Sequence, residues 1–185
     1  MISRCRAGGG QNLLSVLHLG EQALTGVFPH SPETPVTSGP LELIWCPDSG
    51  LLQLGHSYDS AEMYGNNYGY RSGLNRSMVR HLEAKVDRLQ AIVPLSWDDV
   101  VLDIGSNDGT LLKAYQEPGV EKVGIDPTGE KFRQFYDPSI CLVSNFFSQA
   151  AFERVASKRA KIITSVAMFY DLEDPVGFTQ QVAEV

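Results

Sequence analysis

The chain has 185 residues, 43% of them apolar, with a formal net charge of −7 at pH 7. That length holds one domain plus a small module, and that apolar share supplies a core, which excludes a disordered chain. The acidic balance excludes a general binder of nucleic acid or of an anionic membrane, and three cysteines (Cys5, Cys46, Cys141) are too few for a disulfide framework, so a reducing cytoplasm is the expected setting.

In chain order, residues 13–19 are apolar but interrupted by Ser15 and His18, and too short to cross a bilayer. Arg4 and Arg6 precede them without a small-residue cleavage pattern, so the stretch reads as a strand and not as a signal peptide. Residues 29–40 carry Pro29, Pro32, Pro35 and Pro40 and form a loop. Residues 41–45 and 51–54 are strands joined by the turn chemistry of 46–50, a hairpin. Residues 63–73 are rich in tyrosine and glycine and lack a helical period. Val79, Leu82, Val86, Leu89 and Val93 recur at three and four residues with charges between them, which predicts an amphipathic helix capped at Asn75 or Ser77 and closed before Pro94. From Val100 the pattern alternates: strand 100–104, helix 109–117, strand 122–126, helix 129–136, strand 140–144, helix 148–157, strand 161–166, and a last helix from Pro175. Alternating β and α predicts a parallel, right-handed wound sheet, so the fold class is α/β, a partial Rossmann-like sheet preceded by a small β module.

The stretch Val100-Val-Leu-Asp103-Ile-Gly105-Ser106-Asn107-Asp-Gly109 carries the chemistry. A β-branched run ends at an acid, enters a glycine-bracketed loop and resumes as a helix, which brings backbone close to a small ligand. Asn107 tolerates positive φ better than most residues. Asp126 ends the next strand, about 20 residues past the loop, where nucleoside-binding βαβ units place a ribose-binding acid. The Gly-x-x-x-Gly spacing fits a pyrophosphate cradle poorly, which sets a dinucleotide-dependent oxidoreductase below an adenosine-containing cofactor. A non-catalytic binding or interaction protein is the alternative of a different class.

These residues resemble the first and second motifs of S-adenosylmethionine-dependent C-methyltransferases of the sugar-modifying type, which carry a zinc-binding N-terminal domain. Residues 17–24, 50–54 and 68–73 look like that family's N-terminal landmarks, so the resemblance runs along essentially the whole chain. It implies a zinc-binding-like module over 1–75, a linking helix over 76–97, and the N-terminal half of a class I methyltransferase domain over 98–185. It implies S-adenosylmethionine as cofactor. Asp103, Gly105, Ser106 and Gly109 would hold its methionine end, Asp126 its ribose, and Asn145 and Phe146 its adenine. Asn107 would also bind the cofactor, and residues 165–170, beginning at Ser165, would wall the pocket between cofactor and substrate. The implied substrate is a nucleotide-linked keto-sugar. Tyr68 or Tyr70 would hydrogen-bond the enolate formed when a base removes the proton beside the ketone.

The chain departs from the family pattern in two places. The two Cys-x-x-Cys knuckles read Cys5-Arg-Ala-Gly8 and Cys46-Pro-Asp-Ser49, each with its first cysteine only, so Cys5 and Cys46 are the metal candidates and bound zinc is doubtful. His18, His30 and His56 are substitutes without knuckle spacing. Only four strand signals follow Val100, fewer than the resemblance implies. The expectation is therefore a truncated enzyme with little activity alone, whose last strand is open to a second copy or a completing chain.

Overall fold

The computed structural model describes residues 1–24, 29–65 and 68–185, so Asn66 and Asn67 of the tyrosine–glycine segment lie outside the described residues. The elements in order are β1 (Leu14–Ala23), β2 (Ser38–Trp45), β3 (Leu52–Leu54), α1 (Ser60–Met63), α2 (Arg76–Ile92), β4 (Val100–Ile104), α3 (Thr110–Lys113), β5 (Glu121–Ile125), α4 (Gly129–Phe132), β6 (Ile140–Val143), α5 (Gln149–Glu153), β7 (Ile162–Ser165) and α6 (Pro175–Glu184). They divide into two compact units: Met1–Gly69 with Leu172–Gly177, and Tyr70–Asp171 with Phe178–Val185.

The first unit is a three-stranded antiparallel sheet in the order β1-β2-β3. Leu14, Trp45 and Leu52 stand in one cross-strand row, and Leu17, Leu43 and Leu54 in another. Cys5, Ile44 and Cys46 are its fully buried apolar residues among those described. The β2–β3 turn is closed by the Gly50 N–H donating to the Cys46 carbonyl (2.8 Å), with Gly50 at φ 75°, a conformation that favours glycine.

The second unit is a four-stranded parallel sheet in the order β6-β5-β4-β7. All five β4 residues are buried, as expected of a strand covered on both faces. Val101 faces a layer built from Leu82, Val86, Leu111, Leu112 and Tyr115. Val100, Leu102 and Ile104 face the opposite layer with Ala151, Phe152 and Val185. Helix α2 begins where the Asn75 side chain accepts the Ser77 N–H at 2.9 Å, and Leu82 and Val86 are its buried face.

The strands fall within a residue or two of the expected positions in this unit, but three helices are shorter than their apolar periods predict. After Lys113 the bonding tightens to i→i+3, with Ala114 N–H to Leu111 O and Tyr115 N–H to Leu112 O, ahead of Pro118, which cannot donate. The helix expected over 129–136 is α4 followed by a 3₁₀ turn, Arg133–Phe135, which turns Tyr136 back toward the glycine loop. Helix α5 runs five residues from its Ser148 cap and stops at Glu153.

Candidate functional site

The direction of the chain around β4 locates the site. From β4 it passes through α3 on one face of the sheet to β5, then β6. It returns through α5 on the other face to β7, on the free side of β4. The exits of β4 and β7 therefore diverge to opposite faces, and the crevice beyond the carboxyl ends of two such strands is where open α/β sheets bind ligands. Ile104 pairs with Ser165 across this point, so Gly105 and Ser165 stand at its mouth.

The β4 exit needs three residues of positive φ in quick succession: Gly105 (75°), Asn107 (52°) and Gly109 (73°). The expectation for Asn107 holds. Its short polar side chain repays the conformation: Oδ1 accepts the Ser72 N–H (2.9 Å) and Nδ2 donates to the Tyr70 carbonyl (3.1 Å). A Cβ on Gly105 would lie 3.3 Å from Met168 Cγ, so the segment after β7 packs closely on this glycine.

Asp126, just past β5, accepts the Asn107 N–H through Oδ2 (2.8 Å) and both the Thr128 N–H (2.6 Å) and hydroxyl (2.5 Å) through Oδ1. A carboxylate has roughly four acceptor directions, so these three leave one. Burial raises the pKa of Asp126, against the lowering effect of these bonds. Asp108 repeats the pattern: its Oδ1 accepts from Thr110 N (3.2 Å) and Thr110 Oγ1 (2.5 Å). Both strand exits thus use an Asp-x-Thr turn. Asp108 Oδ2 also accepts the Gly73 N–H (2.9 Å), tying the segment before α2 to the loop.

Asp103 is 3% exposed, and its Oδ1 accepts the Thr164 hydroxyl of β7 at 2.6 Å. Burial pushes its carboxyl up to about 7; the Thr164 bond opposes this and the Asp126 charge adds to it. Asp103 is therefore a carboxyl balanced between its two forms at neutral pH. Ser106 is also buried, with Oγ 2.8 Å from the Tyr136 hydroxyl, which donates to the Asn107 carbonyl (2.8 Å). A Cβ on Gly124 would meet Ser106 Oγ at 2.7 Å, so β5 needs a glycine there.

The loop thus gathers Asp103, Gly105, Ser106, Asn107, Gly109 and Asp126. Asn145 and Phe146 lie past β6, where the Phe146 N–H donates to Asn145 Oδ1 (2.8 Å) and the Phe146 ring is 42% exposed. Ser165 Oγ is buried without a hydrogen-bond partner among the described residues. The two tyrosines part company: Tyr68 belongs to the first unit and Tyr70 to the second. Tyr70 reaches the loop through its backbone carbonyl, while its side chain is exposed. Sequence reasoning missed Asp108, Thr128, Tyr136 and Thr164. The Asp-x-Thr spacing was a usable signal for the first two; Tyr136 and Thr164 carried none.

Cys5 and Cys46 meet in the first unit. Cys5 Sγ lies 3.1 Å from Ser49 Oγ. Burial pushes its thiol up, but hydrogen bonds with Ser49, the backbone of Gly8 and Ala7, and Cys46 outweigh that and bring it to about 7. A structural zinc takes four ligands, mostly thiolate and imidazole. Two thiols, a hydroxyl and a glycine do not make that set. The histidines do not complete it: His18 Nδ1 accepts the Gly20 N–H, and His56 Nε2 faces Glu42 at 3.4 Å. Among the described residues no group of three or more His, Cys, Asp or Glu is placed to hold a metal. No helix among them is long and apolar enough to cross a membrane.

The second unit is, by fold, a wound α/β domain whose central strands β4 and β7 end at a change in strand order. Residues 5–64 match the model of a family described as "Putative zinc binding domain", Methyltransf_13. The chain is 24% identical over 177 residues to the C-methyltransferase NovU of Streptomyces niveus, covering 94% of this chain and 42% of that protein. It thus spans about two-fifths of the length of the curated relative it matches. Among solved structures it is similar to the plantazolicin methyltransferase BpumL in two complexes, with pentazolic and triazolic desmethylPZN analogs and SAH. Each has 19% identity and a TM-score of 0.42, and covers 61% of this chain and 45% of that one.

Proposed function

We propose that the second unit binds S-adenosylmethionine, and that the chain serves a methyltransferase acting at carbon on a nucleotide-linked keto-sugar. The observation that carries the reading is the unpartnered Ser165 hydroxyl, buried at the divergence of β4 and β7 beside Gly105. A buried hydroxyl without a partner costs about 1–3 kcal/mol, which a ligand's polar group relieves. The sequence similarity to a C-methyltransferase supports the chemistry.

In this reading the Gly105–Gly109 loop brings backbone against the methionine end of the cofactor, with Asp103 and Ser106 beneath it. The remaining acceptor direction of Asp126 takes a ribose hydroxyl. Asn145 and the exposed Phe146 ring flank the adenine, and Ser165 closes the wall. Bound S-adenosylmethionine supplies a methyl group on a sulfonium, an electrophile that needs positioning more than activation. Tyr70, which belongs to the same unit as the loop, donates a hydrogen bond to the sugar's developing enolate oxygen.

Calorimetric titration tests this with S-adenosylhomocysteine against NAD. Saturable binding of the first and none of the second is expected. Ser165→Ala should weaken that binding by roughly 5- to 30-fold, or ~1–2 kcal/mol, and leave the melting temperature of the free protein unchanged or higher, since Oγ has no partner to lose. Preference for NAD, or a Ser165→Ala variant with unaltered affinity, counts against the assignment.

A further inference from the structure

The family match over residues 5–64 implies a zinc site that the donor set does not fit. The disagreement is informative because the geometry of a knuckle pair survives without its ligands. Four positions matter: 5 and 8 on the N-terminal turn, 46 and 49 on the β2–β3 turn. Cys5 and Cys46 are both free thiols and both buried. Ser49 Oγ is 3.1 Å from Cys5 Sγ. A Cβ built on Gly8 would stand 3.6 Å from Ser49 Cβ, an ordinary van der Waals contact, and Gly8 does not have a positive φ. All four corners therefore converge, with a hydroxyl at one and no side chain at another.

The surrounding backbone is also arranged as two reciprocal turns. Gly9 N–H donates to the Cys5 carbonyl (2.9 Å) and Cys5 N–H to the Gly10 carbonyl (2.8 Å). Cys46 N–H donates to the Leu51 carbonyl (2.9 Å) and Gly50 N–H to the Cys46 carbonyl (2.8 Å). Gly10 closes the gap between the turns, since a Cβ there would lie 3.5 Å from Cys46 Sγ and 2.8 Å from Asp48 Oδ2. These bonds fix both turns through the backbone alone. The Leu51 N–H donating to Ser49 Oγ (3.2 Å) orients the hydroxyl that faces Cys5.

We infer that the N-terminal module is closed by a metal-free cluster of Cys5, Cys46 and Ser49 on the corners of a zinc knuckle, and that Gly8→Cys with Ser49→Cys is enough to create a zinc site there.

The test uses the full chain, expressed with supplementary zinc and kept reduced, because 3.6 Å between Cβ atoms also suits a disulfide. Expected for the unaltered chain is zinc far below one equivalent by elemental analysis, and a melting temperature that EDTA does not move. Ser49→Ala should lower that temperature by about 2–4 °C through loss of the hydroxyl–thiol bond. The G8C/S49C chain should take up one zinc per chain and melt lower when EDTA is added. One equivalent of zinc in the unaltered chain with an EDTA-sensitive melt would overturn the inference. So would a folded, reduced double variant that takes up no zinc. If the double variant does not fold, the zinc content and EDTA response of the unaltered chain decide.

Discussion

Burial changes the chemistry of Asp103. Its carboxyl titrates near 7 in the folded chain because burial disfavours the charge, whereas in the unfolded chain it titrates at the ordinary carboxylate value. Between those two values the folded state holds a proton that the unfolded state has released, so stability falls as pH rises from about 4 to 7. A shift of that size corresponds to up to ~4 kcal/mol at neutral pH. Asp126, also raised, contributes with the same sign. Cys5, lowered from 9.0 to about 7, contributes with the opposite sign, adding stability between those values as pH rises. The window from pH 5 to 7 isolates the carboxyls. Urea unfolding at pH 5 and pH 7 should show the protein less stable at pH 7, and Asp103→Asn should remove most of that difference. An equal slope in the variant would place the effect elsewhere. The sequence located Asp103 and Asp126, because an acid after a β-branched run marks a strand end. It did not reveal their protonation or their saturation, because Thr164 lies 61 positions from Asp103 and the Asn107 amide turns toward Asp126 only in the folded loop.

At the scale of elements, strand positions and the start of α2 were legible and helix lengths were not. A strand in a parallel sheet announces itself by a run of branched apolar residues, and a helix start by its cap. A four-residue helix carries no full amphipathic period, and the 3₁₀ turns after Lys113 and Phe132 continue the same apolar spacing. The cap of α2 is the device whose worth can be measured. Asn75 alone satisfies the Ser77 N–H and also accepts the Ser77 hydroxyl at 2.8 Å. Asn75→Ala should destabilise by about 1 kcal/mol. Thermal melting reads that as a fall of roughly 2–4 °C for a chain of this length. No fall would mean that packing of Leu82 and Val86 alone sets the helix start.

For the molecule as a whole, the two units differ in how much apolar surface they bury. The second has two layered cores, one on each face of a sheet whose central strand is wholly buried. The first has three fully buried apolar residues among those described, two of them cysteines, and buries Glu42 and Gln53 beside them. Local opening costs least where buried apolar contacts are few. Amides of β1 should therefore exchange with deuterium at least ~100-fold faster than those of β4; comparable protection would indicate that both units open together. That a small β sheet precedes a wound α/β part was readable, because short strands and turns give way to alternating strands and helices from Val100. The sequence also showed Gly8 and Ser49 where the knuckle pattern has cysteines; that Ser49 reaches the Cys5 thiol, 44 positions away, only the folded turns show.

The leucine rows on the first unit have one more consequence. Leu14, Leu17, Trp45, Leu52 and Leu54 are each more than two-fifths exposed, so their apolar area is already wet in the native state. Replacing Leu14 or Leu52 with threonine keeps a β-favouring residue and gives up little burial. These are the positions at which the solubility of the chain can be engineered with the least harm to its folding.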